Sequence, residues 1–364
     1  MKILIDICHP AHVHLFKNIL SELKKNERYE LFVTVKAIKS AKELLNFYNI
    51  SYLDIGQKKD SIFSKGVQQL KYDWIVYKLV KKYKINFGLS SSITIPHVSR
   101  ITNIKSLITD DDDDSVEPLF VKFGHSFCDY LLSPKALIGQ RKRTDTIYYP
   151  GYHELAYLHP KRFSPDPGVL DQAGVLPSEA FFIMRFNVFK AHHDVGIKGL
   201  SLQQKLELVK ILEPHGKIFI TTERDIEPEL EKFKLKISPE KIHSLMAYAT
   251  MFLGDSQTMT SEAAVLGTPA LKCNSFSGML SVPNELEHRY NLCYSFTPEN
   301  YPRMLEKLKG LMNMTGLKKE WQQRRDKMLR DQIDVTAFWL WFIENYRESK
   351  SMMVDNPEFW NRFK

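Results

Sequence analysis

Residues 250–272, TMFLGDSQTMTSEAAVLGTPALK, leave the chain few folds to choose from. Met251-Phe252-Leu253 is an apolar run short enough for a buried parallel strand. The run breaks at Gly254-Asp255-Ser256, and a helix is predicted from about Thr258 to Leu266, with Met259, Ala263 and Leu266 facing the core. Gly267 stops that helix, Pro269 keeps it from resuming, and the next strand starts near Ala270.

A strand, a sharp turn and a helix aim the helix N-terminus at the crevice outside a parallel sheet. Its unpaired N–H groups and dipole favour an anion there. Ser256, Gln257 and Thr258 add side-chain donors, and Glu262, one turn in, can accept from a ribose diol. The plainer alternative is that Ser256 or Thr258 only caps the helix and Glu262 only complements its dipole.

With 364 residues, 43% of them hydrophobic, the chain can build two cores, and two domains of roughly 150–180 residues are expected. No apolar run approaches the ~20 residues of a membrane span. Met1-Lys2 leads straight into a strand, Ile3-Leu4-Ile5-Asp6-Ile7, and not into a secretory signal. Cys8, Cys128, Cys273 and Cys293 show no CxxC spacing, so neither a zinc site nor a disulfide framework is expected, and a cytoplasmic location fits. The formal net charge of +8 suits an anionic partner: a nucleotide sugar, nucleic acid or anionic lipid. Without an RNP-like motif, zinc finger or helix-turn-helix, nucleic acid is the least supported of these.

In the first half, strand 3–7 exits through Cys8-His9-Pro10-Ala11-His12 into a helix over 13–25, and a strand over 30–35 continues a βαβ rhythm. The loop has no GxGxxG, so a dinucleotide-type grip is not indicated. Three histidines, His9, His12 and His14, surround a helix N-terminus, a setting that disfavours protonation and suits a neutral base. Metal binding by the three lacks a carboxylate at HExxH spacing. A helix over 40–48 and a short strand over 51–55 follow. From Lys65 to Lys84 an amphipathic stretch carries the stripe Leu70, Trp74, Tyr77 and Val80, expected to face the core. Strands are predicted over 86–90, 105–109 and 127–132. The run Asp110–Asp114 reads as solvated charge, Asp110 and Asp111 excepted because they sit where a strand meets the crevice.

Breakers cluster over 145–179, including Pro150-Gly151, Pro160, Pro165 and Pro177, and mark an interdomain crossing. Within it His153-Glu154 is either an acid–base pair at a cleft or an ordinary surface ion pair. Beyond it, strands over 180–185, 217–221 and 251–253 all deliver polar residues to one edge: Arg185, Asn187, Thr222, Asp255, Ser256 and Thr258. Arg185 can pair with phosphate oxygens two at a time, unless it simply faces solvent. After Pro302 the chain is helical and basic. Its apolar run Thr336–Phe342 either packs back on the first domain or makes peripheral contact with a membrane surface.

Several long segments together carry a resemblance: IDICHPAHVHLFKNIL, GYHELAYLHPKRFSPDPGVL, RFNVFKAHHDVGIKGL and LGDSQTMTSEAAVLGTPA. In this order they resemble the prokaryotic domain-of-unknown-function family 354, over most of residues 1–345. That family is similar to UDP-N-acetylglucosamine 2-epimerases and related glycosyltransferases. The resemblance implies a glycosyltransferase-B-type α/β fold, two Rossmann-like parallel-sheet domains facing a central cleft with the nucleotide mostly on the second. Domain limits of 1–165 and 166–335 are expected, with 336–364 a helix and tail returning to the first. In the epimerase pattern an Asp-Ser turn and a following glutamate hold phosphate and ribose, matching Asp255-Ser256 and Glu262. The paired glycines that continue the epimerase turn are replaced here by Gln257-Thr258, and its His-Arg motif corresponds only loosely to Met184-Arg185.

The expected function is therefore transfer of a sugar from a UDP-linked nucleotide sugar to a cell-envelope or polysaccharide acceptor, with no metal or other cofactor. Glu262, Ser256, Thr258 and Arg185 would hold the nucleotide, His12 or His9 would be the base, and Asp110, His153 and Glu154 would position sugar or acceptor. A UDP-sugar 2-epimerase and a non-catalytic nucleotide-sugar-binding protein are the alternatives.

Overall fold

The computed structural model describes residues 1–56, 62–176, 178–186, 199–222, 226–356 and 358–364, without the side chains of 62–65 and 354. Asn187, the donor-rich loop 190–194 and Glu223-Arg224 lie outside the described residues. The chain divides into two units, residues 1–162 with 333–364, and residues 163–332.

The first unit holds seven parallel strands: β1 (Lys2–Ile7), β2 (Glu30–Val35), β3 (Leu53–Asp54), β4 (Phe87–Ser90), β5 (Lys105–Thr109), β6 (Tyr130–Pro134) and β7 (Ile147–Tyr149). Their order is β3-β2-β1-β4-β5-β6-β7. Central β1 buries Ile3, Leu4, Ile5 and Ile7 completely, as a strand covered on both faces must. Its one carboxylate, Asp6, is satisfied by the hydroxyls of Thr34 at 2.7 Å and Ser92 at 2.6 Å. Chain order reverses between β1 and β4, so the crevice at their carboxyl ends is where a sheet of this kind takes a ligand. Strand β7, the three residues that directly precede Pro150-Gly151, lies inside the breaker cluster, where no strand is expected.

Helix α1 (Pro10–Lys24) follows β1, and its face Val13, Phe16, Ile19 and Leu23 is buried. Helix α2 (Ile62–Tyr83) corrects an expectation. Tyr72, Val76 and Val80 are its buried face, whereas Leu70 is 70% exposed and Trp74 57%. Of the expected core stripe Val80 is buried and Tyr77 is partly buried against the same core, but Leu70 and Trp74 are not, because two apolar stripes share this helix and the inner one packs on Leu4, Ile85, Ile95 and Ile104.

The second unit is a five-stranded parallel sheet of β8 (Phe181–Arg185), β9 (Lys217–Thr221), β10 (Met251–Gly254), β11 (Ala270–Cys273) and β12 (Cys293–Phe296). Its order, β12-β11-β10-β8-β9, reverses between β8 and β10. At that point the two strands approach so closely that a Cβ on Gly254 would lie 2.1 Å from the Arg185 carbonyl oxygen. Helix α3 (Gln257–Leu266) starts from the Ser256 cap and ends at Gly267, whose φ of +77° only glycine adopts at little cost. It is buried nearly all round from Thr260 to Leu266.

The chain then completes the first unit with α4 (Val335–Glu344), capped by Asp334, whose carboxylate accepts the Ala337 N–H at 3.0 Å. Phe338, Trp339, Phe342 and Ile343 are fully buried, and Trp339 packs against Phe16 and Tyr149. This run therefore packs into a core, as the first of the two expectations has it. Among the described residues no helix is long and apolar enough to cross a membrane.

Candidate active site

On the second sheet, the carboxyl ends of β8 and β10 bring together Arg185, Asp255, Ser256 and Thr258. Asp255 donates its N–H to the Arg185 carbonyl at 3.1 Å, and the Asn274 amide donates to the Asp255 carbonyl at 2.8 Å, so the turn is fixed from both sides. Ser256 Oγ accepts the Met259 N–H at 3.4 Å, and its carbonyl accepts from the Thr260 hydroxyl at 2.7 Å. Thr258 is exposed in the first turn, and Thr222 sits half-buried just past β9. Arg185 donates from Nη1 to Thr221 Oγ1 at 3.4 Å. Glu262 lies deeper than a residue at the mouth: it is buried, with one oxygen 2.9 Å from Nε2 of the buried His243.

Beside Gln257, expected as a donor here, stands a residue that nothing in the sequence singles out. Lys272, on β11, is 1% exposed, and its ammonium donates to Gln257 Oε1 at the start of α3. Burial pushes its pKa down to about 8, against the smaller influences of Cys293 and Glu287. A lysine can only donate, so it fixes which way the Gln257 amide points. Gln257 Nε2 is thereby presented as a donor, screened from solvent and without a partner among the described residues. The open groove lined by Ser277, Tyr294, Arg303 and Lys307 contains none of these groups.

On the first sheet, His9 caps α1, its Nδ1 accepting the Ala11 N–H at 3.2 Å. His12 Nδ1 lies 3.4 Å from Cys8 Sγ, which also approaches the Ser91 carbonyl at 3.8 Å, so His12 sits at the β1/β4 reversal. At the end of β5, Asp110 is buried. One oxygen meets His125 Nε2 at 2.9 Å and Arg141 Nη1 at 2.8 Å, and the other accepts the Asp112 N–H at 3.2 Å. Burial alone would raise its pKa, but His125 and Arg141 together hold it below the ordinary carboxylate value. Arg141 also pairs with Asp114 at 2.9 Å. The aspartate run is therefore not a solvated face: Asp110, Asp113 and Asp114 are buried, and the Arg141 guanidinium neutralises Asp110 and Asp114.

Asp111 is the outward member, 26% exposed, with one oxygen 2.9 Å from His153 Nδ1. His153 Nε2 has no partner among the described residues, and the imidazole packs edge-on against Trp339. Next to it Glu154 is buried. The buried Tyr149 hydroxyl also has no partner among the described residues, and after burial the carboxylates of Asp111 and Glu154 raise its pKa most. Oxygens of Asp110, Asp111 and Asp112 lie within 4.8 Å of one another, a spacing able to hold a divalent ion.

Glu117 faces the same cluster. Burial first, then Asp110 and Asp111, raise its pKa from 4.5 to about 7. Between those values the folded chain binds more protons than the unfolded one, so stability falls as pH rises. Glu117→Gln should therefore add about 2 kcal/mol at pH 8 and nothing at pH 4, as denaturant titrations at both pH values would register.

The family described as protein of unknown function (DUF354) matches residues 1–289. No curated protein matches the chain. Among solved structures, a UDP-N-acetylglucosamine 2-epimerase superposes with a TM-score of 0.65 at 15% identity, covering 96% of this chain and 97% of its own. The Neisseria meningitidis UDP-GlcNAc 2-epimerase bound to UDP-GlcNAc gives 0.62 at 14%, covering 91% and 95%. The spinosyn forosaminyltransferase gives 0.62 at 13%, covering 96% and 99%. At such identities the likeness establishes the fold, which is of the glycosyltransferase-B type.

Proposed function

The chain belongs to the DUF354 family, and from that premise we propose that it is a glycosyltransferase-type enzyme acting on a UDP-linked sugar, with a cell-envelope or polysaccharide acceptor. The observation that carries this reading is the turn at the β8/β10 reversal. There a helix N-terminus, Arg185 and an amide oriented by a buried lysine are available to a diphosphate. Ser256 and Thr258 contribute hydroxyls to the same grip, and Glu262, held by His243, is assigned to the ribose.

On the first unit the solvent-facing Asp111 carboxylate takes the proton from the acceptor hydroxyl, and His153 orients it. Asp110 anchors that loop through Arg141, while Glu154 and His12 line the same sheet edge. Charge developing on the departing diphosphate is offset by the dipole of α3, Arg185 and Gln257, so this reading calls on no metal.

Adding UDP-sugars or UDP at about a hundred times Kd should raise Tm by roughly 5–10 °C in a thermal-shift assay. No stabilisation by any nucleoside diphosphate or its sugars would remove the reading. A 2-epimerase is the second reading, favoured by Glu117, whose pKa near 7 beside Asp111 suits an acid–base pair. Incubating UDP-sugars without acceptor separates the two, because only an epimerase turns its substrate over alone.

A further inference from the structure

The outward face of α2 lies beyond the proposed catalytic reading and needs its own explanation. Val67, Leu70 and Trp74 recur at helical spacing on the side opposite the buried Tyr72, Val76 and Val80, and Tyr77 borders them, partly buried against the core. Val67 is 43% exposed, and Leu70 and Trp74 more so. An ordinary surface helix shows one apolar stripe; this one shows two. The Trp74 and Tyr77 rings stack at 5.5 Å, with Lys78 4.9 Å above Trp74 and Lys81 5.9 Å from Tyr77. Lys71, Lys78, Lys81 and Lys82 are exposed along the stripe.

Asp73 is the only acid in the helix, and it is turned away from this face. One of its oxygens lies 2.9 Å from His97 Nδ1, and the other accepts from the Gln69 amide at 2.7 Å. The charge that α2 itself offers outward is thus of one sign. We propose that this face docks on an anionic lipid bilayer, with Leu70 and Trp74 entering the headgroup–acyl boundary and the lysines pairing with lipid phosphates. Large apolar tips flanked by lysines whose stems lie along the stripe are what an interfacial helix requires. Single-sign charge complements an anionic leaflet. The helix lies on the surface and does not span, since no described helix is apolar enough to cross.

The test is co-sedimentation of the full chain with vesicles of phosphatidylcholine, alone or with roughly a third phosphatidylglycerol. Binding is expected on the anionic vesicles only, weakening with salt and shifting tryptophan emission to the blue. Leu70→Ser with Trp74→Ser, and separately Lys71, Lys78, Lys81 and Lys82 all changed to Glu, should each cut binding at least roughly tenfold. Tm should be unchanged in both, since these side chains are exposed. Failure of the native chain to bind, or binding that neither variant reduces, overturns the proposal. So does a lipid-free dimer that the Leu70→Ser, Trp74→Ser variant dissociates, because a second copy would then be the occupant.

Discussion

Asp111→Asn should lower kcat by roughly 10²–10⁴-fold while leaving UDP-sugar binding within about twofold. Asparagine keeps the size of the side chain but cannot accept a proton from a hydroxyl. In the proposed mechanism His153, with Nδ1 2.9 Å from Asp111, acts by positioning. His153→Asn, which can still offer an N–H, should lose less, on the order of tenfold, and should shift the pH–rate profile. Steady-state kinetics with calorimetric binding on both variants separates the roles. If Asp111→Asn turns over like the native chain, Asp111 is not the base, and His12 at the β1/β4 reversal becomes the residue to examine.

Lys272→Met should make the protein more stable and a weaker binder at once. Lysine's ordinary pKa is 10.5, and burial brings it to about 8 in the folded chain. Between those values the unfolded chain binds more protons, so native stability climbs as pH rises through that window; below about 8 the whole burial penalty is present. Methionine fills the same space without the charge. A gain of about 2–3 kcal/mol at pH 7 is expected, together with loss of the slope between pH 8 and 10.5. The Gln257 amide, released from its lysine, would no longer be held as a donor, and UDP-sugar affinity should fall roughly tenfold to a hundredfold. Native affinity in a stabilised Lys272→Met would show that this pair only supports the fold.

The strands were legible because buried parallel strands read as short apolar runs: 30–35, 105–109 and 217–221 coincide with β2, β5 and β9. The breakers Gly267 and Pro269 likewise bound α3 correctly. What stayed hidden depends on partners far away in the chain. Periodicity gives the angle of a stripe around a helix but not which way the helix faces, so on α2 Val80 and Tyr77 meet the core as expected while Leu70 and Trp74 face outward. The aspartates look solvated until Arg141 is brought against them, and nothing in GQRKRTDT marks that arginine as the buried one. Glu262 meets His243 from another helix, and Lys272 reads as a stray charge in a strand until Gln257 is seen beside it.

The first unit is assembled from both ends of the chain, with 333–364 joining 1–162. Phe338 and Trp339 pack against Tyr149, and Trp339 also against Phe16, contacts that do not exist until residue 339 has been made. During synthesis, then, the later half is free to fold while the earlier half waits on the ribosome with an unfinished interior. A nascent chain halted before residue 333 would expose that interior and recruit chaperones, although its five-stranded sheet would already be in place.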